Sequence, residues 1–245
     1  MESRGRVLIT GGSRGIGRAV VLATVAQGYK VTFTYKDNVQ AAQEVQKEAE
    51  LAGFEAPDSI RCDLSNDRDV RLLCEFLDSR HPWYGFVHNA GFSYDSLLAQ
   101  VDVDKAKNLM ETGVWSMVRM LKTILPGMSR ARMGRIIFIS SIAASNAWQG
   151  NAIYSAVKAA GEAICRGCMA EYRSRGVTAN SIAPGYIQTD LMAKYDKPAG
   201  HRELVGATAH VASMVIHLLS NQAEYVNGQT LVIDGGRIRG ITTHV

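Results

Sequence analysis

Short apolar runs alternate along this chain with longer stretches in which apolar residues recur every three or four positions. The runs Arg6–Thr10, Lys30–Tyr35, Asp58–Cys62, Gly85–His88, Arg135–Ser140, Val177–Ile182 and Thr230–Ile233 read as strands. Helical spacing covers Gly15–Gln27, Val39–Ala52, Asp67–Arg80, Asp104–Met128, Ile153–Arg175 and Thr208–Leu219. This rhythm predicts βαβ units and an α/β fold, a doubly wound parallel sheet of about seven strands with helices on both faces. Right-handed crossovers then gather the loops that follow the strands along one edge, where ligands bind. No internal repeat, low-complexity tract or linker interrupts the pattern, so one domain is expected over residues 1–245.

The first strand, with its apolar core Val7-Leu8-Ile9, runs into Thr10-Gly-Gly-Ser-Arg-Gly-Ile-Gly17 and then into a helix. A glycine-rich turn at a helix start lets bare backbone approach a pyrophosphate and presents helix N–H groups to it. Gly11 suits the positive φ of the turn, Gly15 removes a Cβ facing the phosphate, and Gly17 lets helix and strand pack closely. The spacing Gly11-x-x-x-Gly15-x-Gly17 is not the usual G-x-G-x-x-G, and three glycines could also simply make a turn.

Polar and glycine-bearing loops follow the other strands. Asp63 and Leu64 come after the third, Asn89-Ala90-Gly91 after the fourth, Ser140-Ser141 after the fifth and Pro184-Gly185 after the sixth. Each ending alone is ordinary turn chemistry. The constellation that adds chemistry is Tyr154-Ser-Ala-Val-Lys158, beginning thirteen residues after Ser141. Tyr and Lys at i and i+4 share a helix face. A tyrosine with its ordinary pKa of about 10 is a poor acid-base group near neutrality, and a nearby ammonium favours its phenolate.

Composition narrows the class. The chain has 245 residues and a formal charge of +4, with basic residues scattered rather than clustered, so nucleic acid is not implied. No stretch reaches about 18 consecutive apolar residues and no signal-like segment opens the chain, which predicts a cytoplasmic protein. Four cysteines do not make a disulfide scaffold at this length, and Cys165-x-x-Cys168 reads as two small buried residues on one helix face. The six histidines show no metal-ligand spacing, so no metal is expected.

Taken together, Thr10–Gly17, Asp63, Asn89-Ala-Gly91, Ser141, Tyr154-x-x-x-Lys158, Pro184-Gly185 and Asp234-Gly-Gly236 resemble the short-chain dehydrogenase/reductase family, in order and over nearly the whole chain. Within it, the chain looks most like the 3-oxoacyl-acyl-carrier-protein reductases. The resemblance implies a Rossmann-like sheet, a nicotinamide cofactor and a tetramer built through the long helices near 104–128 and 153–175. It implies that Ser141 hydrogen-bonds the substrate carbonyl, Tyr154 donates the proton, and Lys158 binds the nicotinamide ribose while lowering the Tyr154 pKa. Cofactor contacts would come from Gly11, Ser13, Arg14, Gly15, Ile16, Gly17, Lys36, Asp63, Leu64, Asn89, Ala90, Gly91, Tyr154, Lys158, Pro184, Gly185, Ile187 and Thr189. Among these, Asp63 would meet the adenine amine and Thr189 the nicotinamide amide.

The second strand ends Phe33-Thr-Tyr-Lys36, without the acid that accepts ribose hydroxyls in NAD sites, and Arg14 sits in the glycine turn. Two cations and no acid favour a 2′-phosphate, hence NADP(H). Two departures from the family stand out. Where it commonly carries an asparagine that anchors a relay water, Met110-Glu-Thr-Gly-Val114 places Gly113; water filling the vacated space would keep a relay, and Gly113→Asn is then expected to raise turnover. The segment Asp190–Pro198 is short for a substrate lid, which suits a bulky or carrier-bound chain. Arg132 and Arg175, with Arg130 and Arg173 beside them, match carrier-docking arginines of the reductases and are expected near the site entrance.

The expected activity is NADPH-dependent reduction of a 3-oxoacyl thioester, carried on an acyl carrier protein, in fatty-acid, polyketide or aryl-polyene-type assembly. The alternatives are a reductase or dehydrogenase of a free ketone or alcohol, or a noncatalytic subunit paired with an active homologue in a hetero-oligomer.

Overall fold

The computed structural model describes residues 4–146, 148–189 and 205–238. Seven strands form one parallel sheet in the order β3-β2-β1-β4-β5-β6-β7. They are β1 (Arg6–Ile9), β2 (Lys30–Tyr35), β3 (Asp58–Arg61), β4 (Gly85–His88), β5 (Gly134–Ile139), β6 (Val177–Pro184) and β7 (Thr230–Ile233). The chain builds outward from β1 to β3 on one side, then returns to place β4 on the other. The crevice between the carboxyl ends of β1 and β4 is therefore the switch point where such sheets bind ligands. Register brings Ile9 beside Val87, so the loops after β1 and β4 leave the sheet together.

The strands are sorted by a period of two. Val7 and Ile9 of β1, Val87 of β4, and Ile137 and Ile139 of β5 pack on helices α1 (Gly15–Ala26), α2 (Val39–Leu51) and α7 (Thr208–Leu219). Leu8, Phe86, Ile136 and Phe138 face the other way, onto α3 (Asp67–Ser79), α5 (Ser116–Ala131) and α6 (Ala152–Tyr172). Two full cores explain the unbroken apolar runs Val7-Leu8-Ile9 of β1 and Ile136-Ile137-Phe138-Ile139 of β5. Cys165 and Cys168 lie buried in the second core as free thiols, and burial pushes their pKa values up to about 12 and about 11. They pack as small apolar side chains.

One helix differs from its expected form. The stretch expected as a continuous helix over Asp104–Met128 is α4 (Val103–Met110), a π-helical turn at Glu111–Trp115, and α5, which continues to Ala131. Gly113 sits in that turn, and a Cβ there would collide with Val157 Cγ1 of α6. The widened turn thus coincides with the place where two helices approach too closely for a side chain. Among the described residues, no helix is long and apolar enough to cross a membrane. The short segment 190–198 lies outside the described residues.

Candidate active site

The glycine turn after β1 is held from beneath. Asn89 Nδ2 donates to the carbonyls of Thr10 at 3.1 Å and Gly11 at 3.0 Å. Gly11 has φ +67 and Gly15 has φ +55, a region that disfavours side chains. Gly17 is buried, and a Cβ there would collide with the Gly11 carbonyl and the Asn89 amide. The close approach anticipated for Gly17 is therefore to the turn itself.

Helix α1 opens on this turn with Arg14 at the N-cap, without a side-chain cap and without an acid in its first turn. Its leading N–H groups lack the side-chain acceptor that usually satisfies them, and a cation stands at the positive end of the helix dipole. An anion would relieve both. Thr189 comes to the same place, its Cγ2 lying 3.4 Å from where a Gly15 Cβ would sit. Ile187 is buried and pairs with Gly206, which carries the chain from β6 toward the glycine turn. Gly185 packs so closely on Asp234 that a Cβ would come within 2.8 Å of it.

Farther along the edge, Lys36 and Asp63 form an ion pair of 2.9 Å. Burial raises the Asp63 pKa, but hydrogen bonds from Lys36 and Ser65 outweigh it and hold the carboxyl below its usual range. Leu64 behind it is buried, whereas Ser13 and Ile16 are part-exposed and Arg14 is exposed. The structure thus joins the strand-end cation and the strand-end acid that the sequence analysis treats separately.

On the other side of the crevice, Lys158 is buried, with only 6% of its surface exposed. Its Nζ donates to the Ile139 carbonyl at 2.8 Å and lies 5.6 Å from the centre of the Tyr154 ring. Helix α6 reaches β5 this closely because Gly161 presents no side chain to Phe138, where a Cβ would collide with the ring. Tyr154 packs with Val157, Leu109 and Val114 around the π-turn. Ser141 lies two residues beyond the end of β5, and its Oγ accepts a hydrogen bond from Ala143 N at 3.2 Å. A would-be Cβ on Gly91 faces Lys158 Nζ at 3.7 Å, which brings the Asn89-Ala90-Gly91 loop to the Tyr154–Lys158 pair.

Two residues here escaped the sequence reading. Glu162, one turn beyond Lys158, accepts a hydrogen bond from Ser140 Oγ at 2.6 Å. Its signal was the i+4 spacing from Lys158. Thr10 is the other, a hub whose hydroxyl meets Asn89 N and Ala90 N, each at 3.0 Å. Burial pushes the Lys158 pKa down from 10.5 to about 8, with the Glu162 charge opposing. The ammonium is therefore present below pH 8 and lost above it. Activity that depends on this cation should hold steady below about pH 8 and fall as pH rises through it, which a pH profile of kcat/KM checks.

The carrier-docking expectation needs correction. Arg132 ends α5 just before β5, and its guanidinium donates to the Ser174 carbonyl at 3.1 Å. Arg175 sits in the turn before β6. Both lie at the amino edge of the parallel sheet, whereas Ser141 lies at the carboxyl edge, a strand length of roughly 20 Å away. Within one chain they do not flank the site entrance.

The family described as Enoyl-(Acyl carrier protein) reductase matches residues 11–237. The chain belongs to the short-chain dehydrogenase/reductase family. It is an oxidoreductase. The chain is 33% identical to the 3-oxoacyl-[acyl-carrier-protein] reductase of Pseudomonas aeruginosa, over 96% of this chain and 98% of that protein. A short-chain type dehydrogenase/reductase from Mycobacterium ulcerans superposes with a TM-score of 0.88 at 29% identity, covering 97% of this chain and 90% of that one. A blue fluorescent protein from a metagenomic library, solved in complex with NADPH, superposes with a TM-score of 0.84 at 29% identity, covering 96% of this chain and 98% of that one.

Proposed function

We propose that this member of the family uses NADPH to reduce a 3-oxoacyl thioester to its 3-hydroxyacyl form. The observation that carries the reading is the buried Lys158 ammonium held against the Tyr154 ring, beside the Gly91 loop and the β1–β4 crevice. The start of α1, with Arg14 at its N-cap and no side-chain cap, and the glycine-rich turn before it fit a dinucleotide phosphate. When bound there, the nicotinamide supplies the hydride. Gly11, Ser13, Gly15, Ile16, Gly17, Asn89 and Ala90 would hold the cofactor from the turn and the fourth-strand loop, with Thr189 closing over Gly15.

The chain's own residues supply the rest. Ser141 Oγ hydrogen-bonds the substrate carbonyl oxygen, and Tyr154 Oη gives that oxygen its proton. Lys158 places positive charge beside the phenolic ring, stabilising the negative charge that the transfer leaves there. Glu162 keeps Ser140 oriented next to Ser141. Likeness to the Pseudomonas aeruginosa 3-oxoacyl-[acyl-carrier-protein] reductase, over 96% of this chain, supports a 3-oxoacyl substrate.

Arg14 and Lys36 are the cations placed to meet a 2′-phosphate, with Lys36 released in part from Asp63. Arg14→Ala together with Lys36→Ala should shrink the preference for NADPH over NADH by roughly tenfold or more, as expected for losing charge-assisted phosphate contacts. Equal affinities for the two cofactors in the unmutated protein would overturn the choice.

The arginines of the amino edge bear on carrier docking through a second copy. Antiparallel pairing of α5 and α6 across a twofold axis would carry Arg132 and Arg175 of one copy to the site entrance of the other, where they would attract an acidic carrier. The deciding experiment follows NADPH oxidation with a 3-oxoacyl chain on acyl carrier protein, on pantetheine, and with free ketones. Preference for the carrier-bound thioester supports the proposal. Reduction of free ketones alone makes the chain a small-molecule reductase, and no reduction with any substrate removes the catalytic reading.

A further inference from the structure

His88 ends β4 with none of its surface exposed. Its ring stacks on Phe138 at 6.0 Å between centres and tilts against Phe86 at 5.8 Å. Nδ1 lies 3.1 Å from Thr10 Oγ1. That hydroxyl oxygen already accepts from Asn89 N and Ala90 N. With its two lone pairs engaged, its one proton points at His88 Nδ1, which must be the bare nitrogen of the ring. Burial, reinforced by the Lys158 charge, pushes the His88 pKa down to about 3, so the ring is neutral and carries its proton on Nε2.

That N–H has no hydrogen-bond partner in bonding geometry among the described residues. A buried donor left without an acceptor is destabilising, because its lost hydration is not replaced. The backbone groups of Thr112 and Gly113 favour the protonated ring, as carbonyl acceptors do, so the Nε2 edge faces the π-turn. A π-turn displaces carbonyls from the regular helical ladder, and those carbonyls are the acceptors on offer. Catalytic hydrogen bonds often tighten only when the ligand is seated, and a bond that positions catalytic elements would tighten with them.

We propose that His88 is a positioning residue whose Nε2–H holds the Thr112–Gly113 carbonyls of the π-turn while its Nδ1 holds Thr10. This rests on the reading of the site given under Proposed function. One side of the ring then fixes the Asn89–Ala90 loop, through the Thr10 hydroxyl. The other fixes the turn that abuts Val157, the neighbour of Lys158 on α6. The cofactor cradle and the acid–base helix are coupled through a single imidazole. Gly113, which offers no side chain for such a link, leaves the task to the ring that reaches the turn from the sheet.

The test compares His88→Phe with His88→Asn. Phenylalanine keeps the ring and its stacking but neither nitrogen, and asparagine keeps an acceptor and a donor. His88→Phe should lower kcat by on the order of 10²-fold, the scale of small misplacements at a reacting centre, with thioester KM unchanged. His88→Asn should recover most of that loss. Wild-type kcat in a folded His88→Phe protein overturns the proposal, as does failure of asparagine to rescue. Side-chain 1H–15N spectra of the ¹⁵N-histidine-labelled wild-type protein give a second readout that needs no substrate. His88 should appear as the neutral Nε2–H form from about pH 5 to about pH 8, with that proton shifting when NADPH is added. An Nδ1–H form, a ring that titrates in this range, or an Nε2 proton indifferent to NADPH overturns it. Should the wild-type protein reduce no thioester, the functional reading fails, and the spectra still decide the role of His88.

Discussion

Tyr154→Phe is expected to lower the turnover of the proposed thioester reduction by roughly 10²–10⁴-fold, the range that a positioned general acid contributes, while NADPH binding persists. The substitution removes one oxygen and leaves the shape. The ring still packs with Val157, Leu109 and Val114, and the Lys158 ammonium still faces it at 5.6 Å from its centre. Folding and the cofactor cradle are therefore spared, and the loss falls on kcat. Stopped-flow reduction and fluorescence titration with NADPH separate these effects. A Tyr154→Phe protein that turns over like the wild type would sink the mechanism.

Gly113→Asn is expected to destabilise the protein and lower its turnover, the reverse of what the sequence alone suggests. The space assumed to be free for water or an amide is filled by Val157 Cγ1, against which even a Cβ collides. Overpacking at such a contact costs roughly 1–3 kcal/mol, which lowers the melting temperature by roughly 2–4 °C for each kcal/mol in a chain of this size. The shift falls on the residue beside Lys158, so activity drops with stability. Adding Val157→Ala makes room, and the double variant should be more stable than the sum of the two single changes predicts, by roughly 0.5–3 kcal/mol of coupling. A Gly113→Asn protein that melts no lower than the wild type and turns over faster would show that the turn accepts a side chain.

The order of strands and helices, the turn at Gly11–Gly17 and the Tyr154–Lys158 pair were legible in the sequence, because each is written in neighbouring residues. Apolar runs, helical spacing, glycines at a strand end and an i, i+4 pair are local, and local periodicity survives folding unchanged. The π-helical turn at Glu111–Trp115 was not legible, since Met110-Glu-Thr-Gly-Val114 continues a helical pattern and the close approach of α6 at Gly113 exists only in the folded chain. The ion pair of Lys36 with Asp63 and the bond of Ser140 to Glu162 were likewise hidden, since they join residues from different elements. The amino-edge position of Arg132 and Arg175 was legible, because each precedes a strand of the expected parallel sheet whereas the site residues follow one; the match to docking arginines had overridden it.

Thr10 and His88 make the same point most sharply: 78 positions apart in the chain, they meet because β1 and β4 are neighbours in the sheet. By itself, the sequence determined the elements, the crevice and the Tyr154–Lys158 pair, through patterns a few residues long. Only the tertiary structure decided which buried polar groups face one another, because desolvation and hydrogen-bond geometry depend on what the rest of the chain brings to within about 3 Å.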